Sequence, residues 1–391
     1  MKKKIIFLIL ICGMVLKGFS IIPGYYGARS LSLGYASTAF NYDINSIFIN
    51  PAILSSINYT LWGYQYQQSY LDYRNFAEDL SEVLGNDLNQ FENLGESDKS
   101  TLFSHLKELF RSKAGIYGFR SNIPGYVSRN FGLSFAVINT ALINPIDPEE
   151  NFFKQDIQTV TNADIASLQM NFIGLKYRQI SLSYSMDFHR SFSVGITLHY
   201  LNGKVTAFNR SIVDDVFTAE AESKDYLEYS WDSAEEKFSK VVADAGIVAK
   251  LGKFFNIGLV YRNFGAAKIR ASEQEIALNK RIIAGLAFRP NTQWGIYVDV
   301  DLKKSALLYN DQEMQPISMG IEKGFFNNKF FVRLGMLNDL TEKTLLGKKS
   351  NALVGLGIGF NMGKVVVDAA IGLGTNGTVK SLAVSGFILT K

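Results

Sequence analysis

The chain reads as an all-β protein: a closed antiparallel transmembrane β-barrel of about fourteen strands, with a compact N-terminal extension and a helical first outer loop. Three observations predict it. The 391 residues include 33 Gly but only 7 Pro, and 47% are apolar, 13% aromatic and 19% charged, which suits a large sheet better than a helical enzyme or a disordered chain. From residue 113 onward the chain repeats segments of about ten residues in which apolar side chains alternate with Gly, Ser or charge. The links between these segments run long, short, long, short to the end of the chain, the rhythm of outer loops and periplasmic turns.

The chain starts with a targeting segment. Lys2 to Lys4 form a charged beginning, Ile5 to Leu16 an apolar stretch, and Gly18-Phe19-Ser20 offers the small residues a signal peptidase reads, so residues 1–20 are expected to be a signal peptide. Twelve apolar residues as a helix cover about 18 Å of a hydrocarbon core about 30 Å thick, too little for an anchor. The one cysteine, Cys12, lies inside this segment, and Ile11 before it is not the small residue a lipoprotein site needs. The body past it therefore has no disulfide and no cysteine nucleophile. The formal charge of +4 belongs to the same segment: Lys2, Lys3, Lys4 and Lys17 face no acid there and leave 36 bases against 36 acids. A neutral body with no basic patch argues against nucleic acid as a partner.

Residues 21–56 do not alternate. Small residues from Gly27-Ala28-Arg29 through Gly34 and Ala36 allow close backbone packing, as a plug inside a lumen requires. Asn50-Pro51 then signals a turn or a helix start. In residues 71–112, Phe76, Leu80, Val83 and Leu84, and again Leu102, Phe103, Leu106, Leu109 and Phe110, recur at helical spacing. The plain expectation is a helical pair whose apolar faces pack together above the barrel mouth.

The barrel is expected over residues 57–390, with strands at 57–70, 113–121, 131–142, 167–187, 191–208, 240–251, 254–263, 281–289, 293–302, 315–324, 328–336, 351–361, 364–372 and 379–390. Phe192, Val194, Ile196, Leu198 and Tyr200 form one face of a strand against Ser193, Gly195, Thr197 and His199. Val354, Leu356, Ile358 and Phe360 alternate with Gly355, Gly357 and Gly359, where glycine would thin the wall. Apolar rows would meet lipid. Asp244, Lys250, Arg262, Asp299, Asp301, Arg333 and Asp368 fall on the opposite face and would line the lumen as a hydrated, charge-balanced filling. No stretch past residue 20 approaches 18 consecutive apolar residues, so an exported chain is either soluble or a closed barrel. A soluble sandwich would show the same alternation, but it has no reason to put every long loop at one end, which favours the barrel.

Catalytic and metal-binding patterns are not evident. His105, His189 and His199 sit in a helix, a turn and a strand, with no Ser, Glu or Cys at a recognised spacing. The acidic run within 209–239 lacks the spaced ligands and central Gly of a calcium loop. The expectation is no enzyme, no cofactor and no metal.

The residues Gly27-Ala28-Arg29, the small-residue run, Asp43 and Asn50-Pro51-Ala52 together resemble the N-terminal signature of FadL-like outer-membrane proteins. That superfamily includes the long-chain fatty acid transporters, the PorV-type secretion-associated proteins and a TraF-like group. Asp244-Ala245-Gly246, the run Gly258 to Gly265 and Gly285-Leu286-Ala287 are similar to the mid-barrel pattern of the PorV and TraF branch. Ile53 and Tyr35 depart from the N-terminal signature, standing where glycine is usual, and the chain ends Thr390-Lys391 without a terminal aromatic. The resemblance implies a fourteen-stranded monomeric barrel, plugged by a hatch made of Gly27, Ala28, Arg29, Asp43, Asn50, Pro51 and Ala52. Apolar ligands, long-chain fatty acids among them, would move from outside toward a lateral opening, and outer helices would admit them through Leu102, Leu106, Leu109 and Phe110. The other branch implies a scaffold that docks a secreted or envelope protein. Either way the chain would sit among the lipids of the cell outer membrane of a diderm bacterium.

Overall fold

The computed structural model describes residues 27–72, 80, 82–83, 88–111, 115–146, 152–213, 235–265, 268–271, 274–278, 280–306, 313–340, 352–374 and 379–390. The expected signal peptide, Phe76 and Leu84, and the acidic run from Asp214 to Asp232 lie outside them. The first strands are β1 (Thr60–Asp72), β2 (Ile116–Ser128), β3 (Phe131–Pro145), β4 (Gln169–His189), β5 (Phe192–Ser211), β6 (Glu235–Leu251) and β7 (Phe255–Phe264). A small hairpin, β8 (Lys268–Ala271) and β9 (Gln274–Ala277), precedes β10 (Arg281–Asn291) and β11 (Trp294–Asp301). A second, β12 (Ser305–Ala306) and β13 (Glu313–Met314), precedes β14 (Pro316–Phe325), β15 (Phe330–Asp339), β16 (Leu353–Asn361), β17 (Val365–Gly374) and β18 (Val379–Thr390).

Setting the two small hairpins aside, fourteen strands pair in antiparallel succession. The sheet closes where β18 meets β1, Thr60 opposite Thr390 and Leu71 opposite Val379. All fourteen expected strands are present, with edges moved by a few residues. The largest change is in β2, which runs on to Ser128 and leaves a tight turn at Arg129-Asn130 before β3. Asn130 takes φ 67, which Asn tolerates better than most residues. The small hairpins β8–β9 and β12–β13 were not anticipated, because four-residue and two-residue strands are too short to show a period.

Alternation sorts the side chains as a membrane barrel requires. On β4, Ile180, Leu182, Tyr184, Met186 and Phe188 are exposed outward, whereas Ser181, Ser183 and Ser185 are buried inward. That outward row covers about 27 Å of strand, or roughly 20 Å across a membrane at the usual barrel tilt, a hydrocarbon-sized band. Similar rows on β5, β15, β16 and β18 continue the belt around the wall. Among the described residues no helix is long and apolar enough to cross a membrane.

Inside the wall lies the hatch: α1 (Gly27–Ser32), α2 (Ser46–Ile49) and a 3-10 helix (Pro51–Ser56). Every residue of α1 and α2 is buried. Two further helices, α3 (Glu96–Arg111) and α4 (Asn162–Ser167), belong to the long loops. Leu102, Leu106, Leu109 and Phe110 of α3 share one apolar cluster with Leu80, Val83, Ile165, Leu168, Ile143, Met170 and Phe172. Ile143, Met170 and Phe172 lie on the outward parity of β3 and β4. The helix therefore packs against the flank of strands that project beyond the lipid belt, not above the mouth as expected, because those projecting strands have bare outer faces to cover.

Candidate functional site

The hatch fits because the wall gives way to it. Gly320, Gly335 and Gly355 stand directly opposite one another on β14, β15 and β16. A side chain on any of the three would collide with the backbone of Leu31, Leu33 or Gly34. Gly258 and Gly285, paired across β7 and β10, receive Thr38 in the same way. Gly195 and Gly246, paired across β5 and β6, receive Asn50 and Pro51. Gly355 and Gly357 thus do more than thin the wall: they seat Leu31 and Ser32. Gly34 in turn has φ +62, and a Cβ there would strike the backbone of Met336. Tyr35, where glycine is usual in the resembled pattern, adopts φ 72, a conformation that strains a bulky residue.

Polar side chains then pin the seated hatch. Gln67 Oε1 accepts from the Gly27 amide at 3.2 Å and Ser385 Oγ from the Ala28 amide at 3.2 Å, so β1 and β18 satisfy donors at the start of α1. Arg29 is fully buried. Its Nε lies 3.3 Å from Glu322 Oε2, and its guanidinium sits over the Tyr42 ring at 4.5 Å and the Tyr297 ring at 5.2 Å. Glu322 also accepts from Arg333 Nε at 2.7 Å and from the Tyr297 hydroxyl at 3.1 Å. Arg333 donates onward to Asp368 at 2.6 Å and to the Tyr42 hydroxyl at 3.0 Å. Two cations and two carboxylates therefore close a neutral buried chain that runs from hatch to wall. Burial works against the Arg29 charge, but Glu322 and Tyr42 more than offset it and hold its pKa above the ordinary value. Burial first, then Glu322, pushes the Tyr42 hydroxyl up to about 12.

Farther along the hatch, Asp299 Oδ2 accepts from the Ser37 and Thr38 amides, each at 2.8 Å. Arg262 Nη2 donates to the Ile49 carbonyl at 3.1 Å. Asn50 caps the 3-10 helix by accepting from the Ala52 amide at 3.1 Å, with Pro51 at its first position. The Asn50 amide nitrogen reaches both the Thr38 carbonyl at 2.9 Å and the Ile247 carbonyl of β6 at 3.1 Å. Asp43 stays within the hatch, accepting from the Asn45 amide at 2.7 Å and Asn41 Nδ2 at 2.9 Å. Burial raises the pKa of Asp43, and Arg29 opposes this only in part.

Of the residues expected to line the lumen, Asp299, Arg262 and the pair Arg333–Asp368 reach the hatch. Asp301 instead takes a bidentate pair from Arg281 at 2.7 and 2.8 Å, and the half-buried Lys250 sits beside the β6 turn. Asp244 accepts from the Asn263 amide at 2.8 Å and lies 3.3 Å from His199 Nε2. At the level of Asp299, Arg262 and Arg333 the lumen is thus occupied by the hatch itself, which these side chains hold. Glu322, Tyr42, Tyr297 and Gln67 were missed. Alternation with Ser318 and Gly320 was the signal that could have placed Glu322 inward.

Above the hatch the lumen changes character. Tyr117, Phe119, Ile138, Ile173, Leu175, Leu201, Val205, Phe238 and Val242 are inward and buried on β2 through β6. Ile269, Ala271 and Ile276 of the β8–β9 hairpin close over part of this surface. Polar alternation seen in the lower wall is therefore replaced by an apolar inner face toward the long loops. Leu106, Leu109 and Phe110 are fully buried in the α3 cluster. His105 Nδ1 pairs with Glu82 at 2.7 Å, and His189 accepts in its turn from the Ser191 amide at 3.3 Å. Among the described residues no group of three His, Cys, Asp or Glu side chains is placed to hold a metal.

No protein-family model and no curated protein matches the chain. Solved structures do. A FadL homologue of Pseudomonas aeruginosa aligns over 95% of this chain and 99% of its own, with a TM-score of 0.58 at 11% identity. The toluene transporter TbuX of Ralstonia pickettii covers 96% and 98%, with a TM-score of 0.51 at 12% identity. The toluene transporter TodX of Pseudomonas putida covers 96% and 97%, with a TM-score of 0.52 at 12% identity. Over nearly its whole length the chain therefore shares the fold of this FadL homologue and these two toluene transporters, with almost no shared sequence.

Proposed function

We propose that the protein carries hydrophobic small molecules across an outer membrane, long-chain fatty acids or monoaromatic hydrocarbons among them. The apolar inner face of β2 through β6, closed beneath by the hatch, carries this reading. A water-filled porin would keep that face polar; an apolar one desolvates a greasy ligand and leaves polar solutes outside. The fold shared with a FadL homologue and with two toluene transporters supports it. Pairing between β2 and β3 lapses at Ile123 and Pro124, since proline has no amide to donate. Ile44 of the hatch lies directly behind that lapse, against Gly125. A ligand that shifts the hatch would leave sideways into lipid there.

The test is uptake of radiolabelled oleate and toluene by cells expressing the chain, with Leu175→Asp and Val205→Asp as variants. Uptake should fall at least severalfold in both while the barrel stays folded. Unchanged uptake would reject the apolar path. Purification with a stable envelope protein, and no ligand uptake by the parent, would favour the scaffold reading instead.

A further inference from the structure

At the short-turn end, an apolar pocket of about 820 Å³ lies between the β14–β15 and β16–β17 turns, away from the lumen. Phe326, Lys329, Phe330, Phe360 and Met362 line it. Phe330 and Phe360 are register partners with rings 5.1 Å apart, and they continue the outward rows Val332, Leu334 and Leu356, Ile358. The pocket floor is thus an extension of the lipid-facing belt. Its rim holds the two most exposed large apolar side chains of the described chain, Phe326 at 77% and Met362 at 68%.

Phe326 is held there against its own backbone preference. Phe326, Asn327 and Asn328 have φ of 50°, 55° and 64°. Asn accepts the left-handed region readily; a bulky ring does so at a cost. A polar turn residue would relieve that strain, so the aromatic at this position points to contact with something outside the chain. The charge pattern indicates what. Exposed Arg129, Arg190, Lys253, Lys329 and Lys364 ring the short turns, with Asp187 the acid among them, 3.8 Å from Arg129.

We propose that this pocket binds one anionic phospholipid of the periplasmic leaflet. Its acyl chain lies along Phe330, Phe360 and Met362 and its phosphate meets Lys329. Short turns face the periplasm in such barrels, so that leaflet is the one within reach. An acidic protein segment could use the cations but would have no need of the aromatic floor. The inference stands apart from the transport reading, since it concerns the outer wall alone.

Native mass spectrometry of the full chain with dioleoylphosphatidylglycerol or dioleoylphosphatidylcholine tests it. The parent should retain more of the anionic lipid. Lys329→Gln should lower that retention about fivefold, the effect of one cation at an anionic surface. Phe326→Gly, or Phe326→Asn if the glycine variant does not fold, should keep or raise the temperature at which the barrel unfolds, yet retain less lipid. Equal retention of the two lipids by the parent would overturn the proposal, and so would anionic-lipid retention unchanged in both variants. Binding of polyglutamate that Lys329→Gln abolishes, with lipid retention unmoved, would assign the pocket to a protein.

Discussion

Glu322 joins the hatch to the wall through a single carboxylate shared by Arg29, Arg333 and Tyr297. Replacing it with Gln leaves two buried guanidinium groups facing each other with Asp368 as their remaining carboxylate. Stability in detergent, read by urea unfolding, should fall by about 3–5 kcal/mol, the cost of breaking a buried pair from one side. Residues 27–52 should become protease-sensitive before the barrel does; simultaneous loss of both would mean the network holds the wall rather than the hatch. Asp43 has a pKa raised by burial, so its folded form binds a proton more tightly than the unfolded chain does. Its contribution is fully present below the unfolded value of about 4 and is lost as pH rises through the folded one. Asp43→Asn should therefore gain stability relative to the parent at pH 8 and show no such gain at pH 4; a gain independent of pH would remove the ionisation argument. Asp299, Arg262, Arg333 and Asp368 were legible as inward from alternation alone. The hatch partners of the first three were not, because Ser37, Ile49 and Tyr42 are separated from them by more than two hundred residues of chain.

Each strand announced itself through its period of two, and the α3 helix through its recurring Leu and Phe. What α3 packs against was not legible: its neighbours are outward side chains of β3 and β4 that look lipid-facing in sequence until the strands are seen to outrun the membrane. Leu106→Asp with Phe110→Asp places two charges in a fully buried cluster. The loop should unfold, seen as proteolysis near residue 100, while the barrel strands stay protected from the protease. Hydrophobic uptake should fall if this face admits ligand, and uptake at the parental level with the loop cleaved would reject that role. The facing glycines at 320, 335 and 355 teach a related lesson. A glycine on an inward face marks a close approach, but only the fold says by which segment.

For the molecule as a whole, the hatch and the wall are two structures with one interface. Removing residues 27–52 should leave fourteen strands paired, since none of the wall's ladders passes through the hatch. Glycine-rich seats, Asp299 and Gln67 would then face water. Liposome swelling with small sugars should rise well above the parental rate; swelling at the parental rate, with the barrel folded, would mean that the apolar upper lumen seals the channel without a hatch.

Alternation and loop rhythm determined by themselves that this chain is a barrel, how many strands it has and which side chains turn inward. Those are local properties, set by the pleat of each strand and the length of each link. The tertiary structure alone decided that the inward charges clasp a hatch, that the glycines are its seats, and that the upper lumen is apolar. These depend on which residues meet across hundreds of positions, and a pattern with a period of two carries no record of that.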